Sequence, residues 1–279
     1  MFFWGFGDFF IQRSTRKVGD WETLFIITLI GCIILLPFVW SNLGGLFSGN
    51  TSSLSVLLAA GAFLFIAGML EFEALRLGKM SVIEPTWSIE ILVAALLAFL
   101  ILGEVLSFGQ VCVIVSLIIG LFLLSYRGVA FSKKFLLERG VPIAILSALI
   151  MGIAAFFIGW GARETDALMV NFAVSLFSLI GSAVYLIYHK RLLHTLRDIF
   201  KYPKTLLTMS ILDNAAWIAF AFAMTLSPIG IATAISEGYV IIAVILGLVV
   251  NKEKLERHQN MGLWVAVVSA IVLAVKTAY

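Results

Sequence analysis

Seven carboxyls fall inside stretches that are otherwise apolar enough for lipid: Asp8, Glu71, Glu73, Glu84, Glu90, Asp213 and Glu237. Burying a charged side chain at the middle of a bilayer costs at least about 2.5 kcal/mol, so such residues face a cavity or a partner. Their chemistry is limited but useful: a carboxyl can hold a cation, and it can take up and release a proton. Glu71 and Glu73 sit at a helix end near Arg76 and read as an interfacial ion-pair cluster. The others have no basic neighbour of that kind. Glu84, Trp87, Ser88 and Ile91 recur at i, i+3, i+4 and i+7, which is one helical face. Glu90 lies about 60° around the helix from Trp87 and edges onto the same surface. Asp213 and Trp217, at i and i+4, make a second polar and aromatic face with Asn214 adjacent. Pro85 and Gly238 stand beside two of these acids, where they free backbone polar groups that a lipid-facing helix could not tolerate. Glu84, Trp87, Ser88, Glu90, Asp213, Asn214, Trp217, Thr233, Glu237 and Asp8 are therefore the expected lining of a substrate or proton cavity.

Other chemistries find little support in the residue pattern. His189, His194 and His258 lie in or beside loops, and His189 and His194 are five apart rather than the four that sets two ligands on one helical face. No serine or cysteine stands near a histidine in sequence, and no glycine-rich phosphate loop is present. No catalytic residue, metal site or cofactor is expected.

The elements that must hold these acids are membrane helices. Of the 279 residues 62% are hydrophobic and 13% charged, against about 25% charged in a soluble domain. With a mean hydropathy of +1.09, that much apolar surface needs lipid as its solvent. The net charge of +3 does not indicate nucleic acid, because the basic residues sit in short loops. Cys32 and Cys112 fall in apolar segments and read as small buried hydrophobes. MFFWGFGDFFI lacks a basic leader and a small-residue cleavage site, so no signal peptide is expected. Runs long enough to cross a bilayer occur near 22–40, 52–75, 81–103, 107–126, 140–161, 167–188, 205–226, 229–250 and 258–278, after a short apolar piece at 1–12. The fold class expected is an all-α integral membrane protein of ten transmembrane helices, the first short or truncated.

An internal repeat organises these spans. GEVLSFGQ (103–110) aligns with KEKLERHQ (252–259) at an offset of 149, and WGFGDFFI (4–11) with MGIAAFFI (151–158) at an offset of 147. The units expected are 1–127 and 140–279, joined by a basic loop at 128–139. Five spans per unit is an odd number, so the units must insert in opposite orientations. The charges agree. The loop with Arg13, Arg16 and Lys17 has only Arg163 in its counterpart, whereas the uncharged SNLGGLFSGNTSS corresponds to the strongly basic HKRLLHTLRDIFKYPK. In all, 17 of the 19 Lys and Arg fall on one side. That side is expected in the cytoplasm and the C-terminus outside. Through the offset of 149, Ser88 corresponds to Glu237 and Glu84 to Thr233, which sets carboxyls on matching faces of the two fourth helices.

GEVLSFGQ after an apolar helix, the related KEKLERHQ, WGFGDFFI near the start, and ALRLGKMSVIEP between two helices resemble the EamA-like branch of the drug/metabolite transporter superfamily. The resemblance covers nearly the whole chain. It implies ten helices in an inverted repeat and a central cavity lined by the first, third and fourth helices of each unit. It also implies export or exchange of small metabolites such as amino acids. It further implies both termini inside, against which the charge count places the C-terminus outside. The function expected is therefore a secondary transporter in the cell membrane, working by alternating access on a small polar metabolite. Export is the expected direction and the proton the candidate coupling ion. The partners expected are a small-molecule substrate, membrane lipids and protons, with no nucleic acid. The alternatives weighed are a membrane-embedded enzyme acting on a lipid or other apolar substrate, and a non-transporting helical scaffold.

Overall fold

Long apolar runs bounded by helix-starting residues become helices. The computed structural model describes residues 2–44, 51–77, 86–125, 140–242 and 255–278, and among them there are only helices and connections. In chain order these are α1 (Phe2–Val18), α2 (Asp20–Val39), a single 3₁₀ turn (Trp40–Asn42), α3 (Thr51–Leu77), α4 (Ile89–Leu102) and α5 (Phe108–Ser125). There follow α6 (Val141–Glu164), α7 (Ala167–Tyr188), α8 (Leu192–Lys201), α9 (Pro203–Leu226), α10 (Ile229–Ser236) and α11 (Arg257–Ala278). Proline in the first turn of α6 and of α9 starts each helix where a missing N–H costs nothing. Asp166 caps α7, its Oδ1 accepting from the N–H groups of Leu168 and Met169, both at 2.8 Å.

Among the described residues six helices are long and apolar enough to cross a membrane, and three more apolar helices are shorter. Two elements differ from the sequence expectation. α1 runs on to Val18 instead of ending near residue 12, because Arg13, Arg16 and Lys17 are good helix formers and nothing interrupts them before Gly19, at φ +110°. The basic segment after α7, expected as a loop, contains the short amphipathic helix α8, with Thr195 and Asp198 on its buried side.

The packing pairs are related by exchanging the halves of the chain. α3 packs on α6 as α9 packs on α1, and α3 on α7 as α9 on α2. Second helix meets second helix (α2 and α7), fourth meets fourth (α4 and α10), and fifth meets fifth (α5 and α11). The fifth-helix pair is held by small residues at the crossing. A Cβ added to Gly262 would meet the backbone N of Leu124 at 2.6 Å, and one added to Gly120 the backbone N of Ala266, also at 2.6 Å. Nearby, Ser269 Oγ donates to Ser116 Oγ at 3.0 Å. Close approach of small residues drives helix association where lipid removes the hydrophobic incentive. Gly262→Leu is expected to cost about 1–3 kcal/mol or to abolish folding, read as a loss of monodisperse protein in size-exclusion chromatography. Met261→Leu, one residue away on an exposed side chain, is the control and should leave the yield unchanged.

The ends of the bundle differ. At one end, Glu22 at the start of α2, 1% exposed, pairs with Arg191 at 2.7 Å, and Asp20 lies 3.3 Å from Arg76 at the end of α3. Trp21 stacks on Tyr185 there, the ring centroids 3.8 Å apart. At the other end Arg163, at the end of α6, pairs with Glu104 and donates to the carbonyls of Met224 (2.8 Å) and Ser227 (2.9 Å). Glu104 also accepts the N–H of Ile229 at 2.9 Å. The largest apolar cluster fills this second end, with Leu35 and Val39 of α2, Phe156 of α6, Phe220 and Met224 of α9, and Ile229 of α10.

Candidate functional site

Below that apolar cluster the helices part around a cavity of about 130 Å³. Its boundary with the cluster is aromatic. Trp4 of α1 meets Trp217 edge-on, centroids 5.1 Å apart, and both rings also meet Phe220 edge-on. Trp4 and Met151, which correspond through the offset of 147, both face the cavity from the first helix of their half.

The acids enter from several elements. Asp213 projects from the middle of α9 into the cavity, beside the indoles of Trp4 and Trp217. Glu71 comes from α3 on a face it shares with Leu64, Gly68 and Phe72, and lies within electrostatic reach of both Asp213 and Glu90. Glu90, 7% exposed, sits in the first turn of α4. Its backbone is held close to α6 by Gly152, where a Cβ would stand 2.8 Å from the Glu90 carbonyl oxygen. Glu237, 6% exposed, enters from the end of α10.

The two fourth helices are interrupted at equivalent residues. Ser88 is a turn residue at φ −56°, ψ −16°, immediately before α4. Glu237 ends α10 at φ −61°, ψ −16°, after which the helix resumes at Tyr239. Across the second break the hydrogen bonds tighten to the i+3 pattern: Gly238 N–H donates to Ile235 O and Ile241 N–H to Gly238 O, both at 3.1 Å. Short 3₁₀ segments inside a helix mark hinges and strained positions. In transporters built from inverted repeats, interrupted helices form the substrate and ion sites.

Of the residues singled out in the sequence, Trp87, Glu90, Asp213, Asn214, Trp217 and Glu237 line the cavity. Ser88 is buried at the break, and Thr233 is fully buried in α10, where its hydroxyl donates to Ile229 O at 2.9 Å. Glu84 lies outside the described residues, as does the side chain of Asp8, whose backbone is in α1. Glu71 had been grouped with Glu73, but only Glu73 joins Arg76. Residues two apart on a helix point about 200° from one another, so both could not serve the same partner. The second helices also contribute, which the expectation of first, third and fourth helices omitted. α2 supplies Thr28, and α7 supplies Asn171, Ser175 and Ser178. Their spacing of four and three is a polar stripe that was readable in the sequence.

Comparisons with known proteins bear on the family and the fold. The model of the EamA-like transporter family matches residues 1–126 and again 138–275, one match in each half of the chain. An uncharacterized protein of Methanocaldococcus jannaschii is 30% identical over 125 residues. That is 44% of this chain and 88% of the relative, which is thus about half as long. A solved crystal structure shares the fold with a TM-score of 0.75 over 99% of this chain and 94% of its own, at 14% identity. With both halves matched by the family model, the chain belongs to the EamA-like transporter family, whose members are multi-pass membrane transporters of the drug/metabolite type.

Proposed function

We propose that this chain is a secondary transporter that carries a small polar metabolite through the central cavity by alternating access, exchanging it for protons at the cavity acids. The observation that carries the reading is the cavity between the two halves, walled by equivalent residues of each and closed at the Glu104–Arg163 end. The paired packing of α1 to α5 with α6, α7, α9, α10 and α11 supports a five-plus-five inverted arrangement with units 1–127 and 140–279. A rigid rocking of one half against the other would open the closed end and shut the opposite one. The acids that titrate in this scheme are Glu71, Glu90, Asp213 and Glu237, with Tyr239 the other ionisable group of the lining.

The test is flux in proteoliposomes, with a panel of small metabolites on either side and with or without an imposed pH gradient. At least one compound should move against its own gradient when protons flow the other way. No flux for any compound under any gradient overturns the reading. Orientation is tested separately. The basic residues 76 and 191 meet at one end while Arg163 marks the other. A cytoplasmic reporter fused after Tyr279 is expected to be silent, and a strong signal would reverse the sidedness without touching the transport scheme.

A further inference from the structure

The polar lining is unbalanced in a way that specifies its ligand. Four carboxyls, Glu71, Glu90, Asp213 and Glu237, face the cavity, and no Lys, Arg or His does so among the described residues. The side-chain amides add little donor capacity. Asn171 Nδ2 donates to the carbonyls of Ala167 (2.7 Å) and Trp217 (3.3 Å), and Asn214 Nδ2 to those of Ser210 (2.8 Å) and Ile27 (3.1 Å). Both NH₂ groups are thus spent on the backbone. Thr28 Oγ1 spends its proton on Leu24 O at 2.8 Å. The indoles of Trp4 and Trp217 lie beside Asp213. Among the described residues the lining is thus rich in carboxyl acceptors and presents no cationic side chain, with Ser175, Ser178 and the Trp87 indole as its further donors.

A carboxylate or phosphate entering this space would meet like charge and few donors, leaving its own acceptors unsatisfied. An ammonium group fits on both counts, because it donates only and carries the missing positive charge. The Trp4 and Trp217 rings at the boundary offer π-faces beside the acids, which attract a desolvated cation further. Size narrows the choice. An engineered cavity of about 150 Å³ accommodates benzene, so the volume here suits a body of about one six-membered ring.

We propose that the cavity selects small organic ammonium ions and rejects carboxylates, with Glu71, Glu90 and Asp213 as the row of acceptors that holds the nitrogen. This rests on the transporter reading for its biological meaning but not for its test. Benzylamine, benzyl alcohol and benzoate keep one ring size while changing the charge. Saturable quenching of tryptophan fluorescence in purified protein is expected for benzylamine, with binding about tenfold or more weaker for the alcohol, the equivalent of one charged hydrogen bond. Benzoate should not bind. Glu71→Gln and Glu90→Gln should each weaken benzylamine by about tenfold, clearly more than they weaken benzyl alcohol, and thermal melting confirms that each variant is folded. No saturable binding of benzylamine, benzoate binding as tight as benzylamine, or an unchanged benzylamine Kd in both variants overturns the proposal. Flux measurements keep the two claims apart. Benzylamine that binds while no compound of the panel crosses the bilayer sinks the transporter reading alone, whereas transported benzoate sinks only the charge selectivity.

Discussion

Glu237→Gln and Glu90→Gln will each yield folded protein whose flux no longer responds to a pH gradient. Both side chains are nearly inaccessible and face the same cavity, and glutamine keeps their shape and most of their hydrogen bonds. What it removes is the exchangeable proton. A carrier that exchanges substrate for protons then loses its driving force, and accumulation against a gradient should fall to the level of empty liposomes. Downhill flux should survive in part, weakened by the loss of a hydrogen bond to a charged group, which contributes about 1.5–3 kcal/mol. The two sites enter from interrupted fourth helices of opposite halves, so the effect should not depend on which half is altered. If both variants accumulate substrate as the parent does, proton exchange must rest on Asp213 or Glu71, the remaining acids of the lining.

Arg163→Gln is expected to lower stability strongly. The guanidinium serves Glu104 and the carbonyls of Met224 and Ser227, joining the end of α6 to the α9–α10 turn and to the chain after α4. Its side chain is 31% exposed and that of Glu104 14%, so water can replace these bonds only in part. A loss of about 2–4 kcal/mol follows, below the 3–5 of a fully buried pair broken from one side. Arg76→Gln offers the contrast, since that side chain is 56% exposed and its pairs with Glu73 and Asp20 are worth about 0–1 kcal/mol. Thermal melts in detergent should therefore show a clear drop for the first variant and almost none for the second. Glu104→Gln should fall between them, because its amide oxygen still accepts the N–H of Ile229. Equal melting temperatures for Arg163→Gln and the parent would remove the pair from any part in closing this end.

The membrane helices were legible because long apolar runs are local signals. The spans expected near 167–188 and 258–278 match α7 and α11 to within a residue. Pro85 and Gly238 were legible as residues that free backbone polar groups, whereas the turns at Ser88 and Glu237 fall inside spans expected to be continuous. What sequence did not give was partner choice across the bundle. Glu104 stands in sequence just before α5, where a carboxylate suits a helix start, yet its carboxylate meets the N-terminus of α10, 125 residues away. Both positions satisfy the same electrostatic preference for an acid at a helix start, and only the packing distinguishes them. Glu71 was hidden by its neighbour Glu73, and Trp4 by lying in a segment too short to weigh as a span. The acceptor bias of the cavity was also out of reach, because it depends on which way Asn171 and Asn214 turn their amides.

The ion pairs at the two ends of the bundle share a polarity. In Glu22–Arg191 and in Glu104–Arg163 the acid belongs to the first half of the chain and the arginine to the second. Two copies of the first half assembled in the same way would keep an acid and an arginine at one end, since Arg16 corresponds to Arg163 through the offset of 147. They would lose the pair at the other end, because the counterpart of Arg191 lies in the uncharged SNLGGLFSGNTSS. Two copies of the second half fare alike, with Glu253 in the place of Glu104 but Met169 in the place of Glu22. At the Glu22–Arg191 end, then, only the unlike half supplies the missing charge, and there each half depends on the other.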